Sequence, residues 1–245
     1  MKVLEDKCEL QLAALQKEFD EFVYIVSHDI KTPMRAIVNL TSWIEDDLGS
    51  NVEQDILDNF SLLKNRVERL ERMMNALLEL SRVNTSNMEL YEVDIAKLVS
   101  DCTEMIDKNL NVEFHITCNL KDVKYTTLGK KLEKIIYNLI NNAVRFHDKE
   151  KMNVFIEISE NDADLEIKIS DDGPGIPDEL KDKIFSIFYT INSKDVVDST
   201  GAGLAICTKI IKMVGGTLAY YPAENGGSLF KFDWPKIIKI EKLKL

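Results

Sequence analysis

Ser27-His28-Asp29-Ile30-Lys31-Thr32-Pro33 stands inside a long run of helical periodicity and decides how the first third of the chain is read. On a helix, positions i and i+4 share a face, so His28 and Thr32 line one stripe. Asp29, beside the imidazole, can accept a proton from one ring nitrogen and leave the other a better nucleophile. Pro33 removes a backbone donor and crowds the preceding turn, which predicts a bend just after the site.

The apolar pattern extends from this stretch in both directions. Leu4, Cys8, Leu12, Leu15, Phe19, Phe22 and Val26 follow at steps of three or four, and Ile37, Leu40 and Ile44 continue beyond Pro33. Leu48-Gly49-Ser50-Asn51 breaks the pattern as a turn. A second helix carries Ile56, Phe60, Leu63, Val67, Leu70, Met74 and Leu77 at alternating steps of four and three. Two such helices form an antiparallel hairpin whose apolar stripe is half covered. A symmetric dimer closing a four-helix bundle covers the rest. The plainer alternative packs the hairpin on its own second domain.

Residues 81–92 are polar and non-periodic and read as a linker. Beyond Val93 the texture becomes mixed. Helices are expected over 95–106, 128–146 and 203–214. Strands are expected over 112–117, 154–158, 165–169, 217–221 and 228–234. Runs of helix and antiparallel strand without strand–helix–strand alternation predict an α+β sandwich with helices on one sheet face.

Three stretches of this second part carry chemistry. Asn138, Asn142 and Arg145 fall at i, i+4 and i+7 of an apolar helix and form one polar stripe. The asparagine carbonyl is a hard oxygen ligand suited to Mg²⁺, and Arg145 can neutralise phosphate; a solvated helix face is the plain alternative. Asp171-Asp172-Gly173-Pro174-Gly175 follows directly on a strand. Its glycines let backbone approach a flat ligand, and its carboxylate can accept from an exocyclic amino group; a Gly/Pro turn is the plain alternative. Ser199-Thr200-Gly201-Ala202-Gly203 opens a helix whose unpaired N–H groups favour phosphate. It matches neither a Walker A loop nor a dinucleotide fingerprint.

With Ile184-Phe185-Ser186-Ile187-Phe188-Tyr189 between the second and third stretches, the order resembles the N, G1, F and G2 boxes of the GHKL ATPases. With His28 upstream, residues from about 20 to 235 resemble the core of a sensor histidine kinase. That resemblance implies an α+β two-domain chain: a helical hairpin forming a dimeric four-helix bundle, then an α/β sandwich of the GHKL (Bergerat) type. The corresponding boundaries are 1–83 for the lead-in and hairpin, 84–92 for the linker, 93–236 for the catalytic domain and 237–245 for a tail.

The resemblance also implies ATP and Mg²⁺ as cofactors, a homodimer, and a response-regulator receiver domain as partner. His28 is then the phosphoacceptor, Asp29 its acidic neighbour, and Thr32 the residue that positions water for dephosphorylating the regulator. Asn142 matches the Mg²⁺ ligand and Asn138 its companion one turn earlier. Asp171 matches the adenine reader, with Gly173 and Gly175 beside the base. Gly201 and Gly203 match the glycines near the phosphates. Residues 190–200 match a mobile lid, whose Lys194 is counted with Arg145 among the nucleotide-binding cations. Ser199, Ala202 and Arg145 stand where the family often has glycine, leucine and lysine. The resemblance shows no sensor or receiver module, and the heptads begin almost at Met1.

Composition narrows the alternatives. The 245 residues are 45% hydrophobic with a formal net charge of −11, which argues against a nucleic-acid footprint or an anionic membrane surface. The four cysteines form no CxxC pair, so structural zinc and disulfides are not expected. No apolar run has the length of a membrane span and no signal-peptide pattern opens the chain, so a cytoplasmic location is expected. The remaining competitors are another GHKL ATPase, disfavoured by the His28 hairpin, and a kinase-like dimeric adaptor with weakened turnover. His115 and His147 are expected to be structural or surface histidines.

Overall fold

A computed structural model describes residues 2–49, 52–191, 199–224 and 226–238, without the side chains of 2–10, 12 and 13. The chain divides into two compact units, meeting between Arg82 and Val83.

The first unit is a helical hairpin of α1 (Lys2–Leu48) and α2 (Gln54–Ser81). Pro33 sits inside α1, and the helix continues through it without interruption, so the expected bend does not end an element. Proline costs the bond its own N–H would have made, but the neighbouring turns on either side hold the helical path. Gly49 follows α1 at φ +67°, a left-handed conformation that glycine enters without a steric penalty; Ser50 and Asn51 of the expected turn lie outside the described residues.

On α1 the contact uses a different stripe from the heptad seam, whereas on α2 it includes the seam residue Val67. Val23, Ser27, Met34 and Thr41 of α1 are buried, as are Val67 and Ala76 of α2. Thr41 returns its hydroxyl to the carbonyls of Ile37 and Val38, which lets a polar residue enter this contact. Leu15, Phe19, Phe22, Ile37, Leu40 and Ile44 of the seam are exposed, with Ile56, Leu63 and Leu70 of α2. Leu15 and Phe22 retain 64% and 62% of their accessible surface, so the hairpin leaves them uncovered. Leu4, Cys8 and Leu12 lie outside the described side chains.

The second unit is a five-stranded sheet with helices on one face. Its elements are β1 (Tyr91–Asp94), α3 (Ile95–Glu104), β2 (Val112–Asn119), β3 (Lys124–Thr127), α4 (Gly129–Arg145), β4 (Met152–Glu160), β5 (Asp164–Asp171), α5 (Gly203–Val214), β6 (Leu218–Pro222) and β7 (Ser228–Pro235). Strand order in the sheet is β2-β4-β5-β7-β6, while β1 and β3 pair separately as an antiparallel ribbon.

Two expectations need correction. Tyr91 and Glu92, read as the end of the linker, are ladder residues of β1 opposite Thr127 and Thr126. The sheet is also not wholly antiparallel, because β2 and β4 run parallel from Val112↔Met152 to Asn119↔Ser159. Between them β3 and then α4 carry the chain back across the sheet, which is the long crossover a parallel pair requires. That crossover is invisible to a reading that looks only for adjacent hairpins.

Period-two alternation builds the core. Val154, Ile156 and Ile158 of β4, Leu165, Ile167 and Ile169 of β5, and Phe230, Phe232 and Trp234 of β7 point inward. Ile135, Ile136, Leu139 and Ile140 of α4 cover them, with Val99 of α3 and Ile206 and Ile210 of α5 alongside. Each of these large side chains contributes about 1.5–3 kcal/mol by leaving water. Buried Trp234 donates from Nε1 to Thr127 Oγ1 at 2.7 Å, fastening the β1/β3 ribbon to the sheet. The opposite sheet face is polar: Lys168 lies 3.2 Å from Glu166 and Lys231 lies 2.5 Å from the same carboxylate.

Candidate nucleotide site and phosphoacceptor

The inward alternation of β5 that buries Leu165, Ile167 and Ile169 continues to Asp171, so a carboxylate occupies the last core-facing position of the strand. Asp171 Oδ1 accepts from the N–H of Gly173 at 2.9 Å and of Ser228 at 3.2 Å. Both bonds fall on one oxygen, leaving Oδ2 for a ligand. Burial pushes the Asp171 carboxyl above its ordinary value; the two N–H bonds and the nearby His147 oppose that shift.

A single cleft collects most of the predicted residues. Asn138, Asn142 and Arg145 of α4 form one wall, Asp171 and Gly175 another, and Gly201 and Gly203 a third. Gly173 lies behind the cleft: a Cβ there would sit 2.9 Å from Asp171 Oδ1 and 3.6 Å from His147 Cδ2. Lys194 lies outside the described residues.

The loop and turn that close the cleft are fixed to their neighbours by backbone. Phe188 takes φ +63°, strained for an aromatic residue, and its N–H donates to Gly201 O at 2.9 Å. Gly201 itself has φ +67°, and a Cβ there would collide with the Tyr189 carbonyl. The phenylalanine-rich segment therefore anchors the glycine loop, a link that sequence order alone does not reveal. Gly175 has φ +72°, and its missing Cβ would come within 3.0 Å of Gly227 O.

Several lining residues escaped the sequence reading. Ile176, Ile184, Leu204 and Phe230 provide apolar surface for a flat ring, and Ser228 supplies one of the N–H groups to Asp171. Ile176 was within reach, since it follows the Gly-Pro-Gly turn directly. Phe230 and Ser228 come from a strand some sixty positions away and carry no motif.

The residues present fit a magnesium nucleotide. Asn138 Nδ2 and Ser199 Oγ are buried on the wall without a partner among the described residues, and α5 opens onto the same cleft with Gly203 and Leu204. Orphaned polar groups and a helix N-terminus provide donors for an anion. Asn142 lines the same cleft, and its side-chain carbonyl is a hard oxygen of the kind that can ligate Mg²⁺.

In the other unit His28 is solvent-exposed on α1. Its Nδ1 lies 3.2 Å from Asp29 Oδ1, and the side chains keep 72% and 73% of their surface accessible. Thr32, one turn further on, is also exposed. Ser27 beside them is buried, with an unpartnered Oγ, and faces into the hairpin. The described residues contain no cluster of three or more His, Cys, Asp or Glu side chains able to hold a metal. None of their helices is long and apolar enough to cross a membrane.

An asparagine helix, a strand-end aspartate with a glycine turn, and a glycine loop opening a helix around one cleft define an ATPase domain of the GHKL type. Comparison with known proteins agrees and goes further. Residues 127–238 match the family described as histidine kinase-, DNA gyrase B-, and HSP90-like ATPase. Residues 20–86 match the His Kinase A (phospho-acceptor) domain. With a phospho-acceptor domain followed by this ATPase domain, the chain carries the two parts of a sensor histidine kinase core.

The sensor histidine kinase WalK of Bacillus subtilis is 27% identical over 230 residues, covering 90% of this chain and 37% of WalK. The nucleotide-free catalytic domain of histidine kinase ThkA is 28% identical with a TM-score of 0.54, over 63% of this chain and 99% of that domain. ThkA in complex with response regulator protein TrrA shares the fold at a TM-score of 0.62 and 22% identity, over 93% of this chain and 65% of that one. The chain spans between 15% and 37% of the length of the first curated relatives it matches.

Proposed function

We propose that this core binds ATP in the α4–β5–α5 cleft, phosphorylates itself on His28 and passes the phosphoryl group to an aspartate of a separate response regulator. The observation that carries this is the pairing, in one chain, of an exposed His28–Asp29 couple with a cleft holding Asn142 and Asp171. The regulator bound by ThkA supports a receiver domain as the partner.

Each residue has a distinct role in this reading. Asp171 Oδ2 accepts from the adenine amino group, with Gly173 and Gly175 at the turn. Asn138, Asn142, Arg145, Gly201 and Gly203 hold the phosphates, and Asn142 ligates the ion. Bound Mg²⁺ offsets charge on the phosphate oxygens. Asp29 holds the proton on Nδ1 of His28, so the lone pair resides on Nε2. Nε2 attacks the γ-phosphorus, the bond to the bridging oxygen breaks, and ADP leaves with that electron pair. The imidazolium then loses its Nδ1 proton to Asp29. Thr32, on the same exposed stripe, is placed to orient water during dephosphorylation of the regulator. Residues 190–200, including Lys194, act as the lid.

Residues 1–83 form the dimerisation and phosphoacceptor domain in this reading, and 93–236 the catalytic domain. Strand β1 draws Tyr91 and Glu92 of the connecting segment to the catalytic side. The exposed seam of α1 and α2 is the face that a second copy covers. A cytoplasmic location follows from the proposed chemistry, since ATP and receiver domains are met there.

His28→Gln tests the reading directly. The variant binds ATP like the wild type but takes up no label from γ-labelled ATP, while wild-type label is stable to base and labile to acid. Full labelling of the variant rejects His28 as the acceptor.

A further inference from the structure

His147 lies two residues beyond the last residue of α4, and its side chain is fully buried. Its Nδ1 receives the backbone N–H of Lys149 at 3.1 Å. A backbone N–H can only donate, so Nδ1 is the acceptor and Nε2 the donor. Nε2 lies 2.6 Å from Asp172 Oδ1.

Asp172 takes three further donors. Asn153 of β4 donates its backbone N–H to Oδ1 at 3.0 Å and its side-chain amide to Oδ2 at 2.9 Å. Lys149 Nζ stands 3.2 Å from Oδ2. Burial alone would raise this carboxyl, but the bonds from Asn153, His147 and Lys149 outweigh it and hold Asp172 well below the ordinary carboxylate range. Both oxygens are thereby held away from the cleft.

Asp171 ends β5 and Asp172 follows it directly across one peptide bond; Asp171 lines the cleft while Asp172 turns to His147 and Asn153. Fixing Asp172 therefore fixes the rotation of the peptide that presents Asp171 to the cleft. Gly173 lies beside the imidazole, where a Cβ would sit 3.6 Å from Cδ2, the carbon next to Nε2. The ring is thus bonded to Asp172 and lies close beside Gly173 of the same turn. At its own end it is covalently continuous with the helix that carries Asn138, Asn142 and Arg145.

We propose that His147 is a positioning residue that sets the spacing between the adenine end and the phosphate end of the cleft by locking the end of α4 to the Asp171–Gly173 turn through Asp172. This rests on the nucleotide-binding reading above. A ligand gripped at both ends feels that spacing, whereas one gripped at the adenine end alone does not. Preorganising the two grips before the ligand arrives spares the cost of assembling them on binding.

The test compares ATP with adenosine on the full chain by NMR titration. His147→Leu fills the space but cannot donate to Asp172, whereas His147→Gln carries its Nε2 amide to the position of the imidazole Nε2. His147→Leu weakens ATP binding more than tenfold and adenosine binding less than threefold, and His147→Gln restores ATP binding to within threefold of wild type. Asp172→Asn leaves the imidazole in place but weakens its hold. It gives the same ATP-selective loss, which keeps the test decisive if His147→Leu does not fold. In the unliganded protein the ¹⁵N spectrum shows the His147 proton on Nε2.

Equal loss of ATP and adenosine overturns the proposal, because it points to collapse of the Asp171 turn alone. Failure of His147→Gln to rescue, or a proton found on Nδ1, also overturns it. Wild-type protein that binds neither compound overturns the nucleotide reading and this proposal together.

Discussion

Replacing Asp171 by Asn separates recognition from folding, because the two act on different atoms of one side chain. Oδ1 accepts from Gly173 and Ser228, and an amide oxygen can keep both bonds. Oδ2 becomes an amide nitrogen and presents a donor where adenine also presents one. Losing a hydrogen bond to a charged acceptor costs about 1.5–3 kcal/mol. At about 1.4 kcal/mol per tenfold, ATP affinity should fall by about 10- to 150-fold, and the preference for ATP over GTP should shrink with it.

Stability should move the other way. The folded-state carboxyl of Asp171 is raised above its ordinary value, chiefly by burial. Its charge therefore costs stability as pH rises from the ordinary carboxylate value through the raised one; below that window both states are protonated and the cost is absent. Asp171→Asn removes the cost. Without nucleotide the variant should melt at or above the wild-type temperature at pH 7, and the two proteins should converge in acid. Fluorescent-nucleotide titration with ATP and GTP as competitors gives the affinities, and differential scanning fluorimetry from pH 3 to 8 gives the stabilities. Affinity within twofold of wild type would falsify the adenine assignment. Affinity lost together with a lower melting temperature at pH 7 would mean that the substitution damages the fold.

Asn142→Ala should abolish Mg²⁺-dependent autophosphorylation while leaving nucleotide binding without the ion within about tenfold of wild type; equal loss with and without Mg²⁺ would remove Asn142 from the metal role. Thr32→Ala should spare labelling of His28 and lower phosphatase activity toward a phosphorylated regulator, measured in one preparation. Equal loss of both activities would make Thr32 a structural residue. Light scattering at micromolar concentration should give twice the chain mass. Leu63→Glu with Leu70→Glu should give a monomer, since each buried leucine contributes about 1.5–3 kcal/mol per copy; a wild-type monomer would contradict the bundle.

Local pattern alone determined much of this protein. Heptad spacing shows two helices, period-two alternation shows β4, β5 and β7, and Gly215 ends α5 at φ +89° just where the apolar helix pattern stops. Asn138, Asn142, Asp171, Gly175, Gly201 and Gly203 were legible because chemistry restricts residue type at short spacing, and the folded chain gathers them at one cleft. Their roles toward a nucleotide are left to the experiments above.

Only tertiary structure decided the rest, because it depends on pairings between distant segments. The parallel β2/β4 pair and the β1/β3 ribbon are choices of partner that no strand states in its own sequence. The seam of α1 carries apolar residues on more than one face, so periodicity could not tell which face meets α2; packing put Val23 and Met34 there and left Phe22 and Leu40 uncovered. Ser228 and Phe230 reach the cleft because β7 lies beside β5 in the sheet. In sequence His147 reads as a structural or surface histidine and nothing more. Its consequence for the site arises because Asp172, just past the end of β5, reaches it while being held in turn by Asn153 of β4.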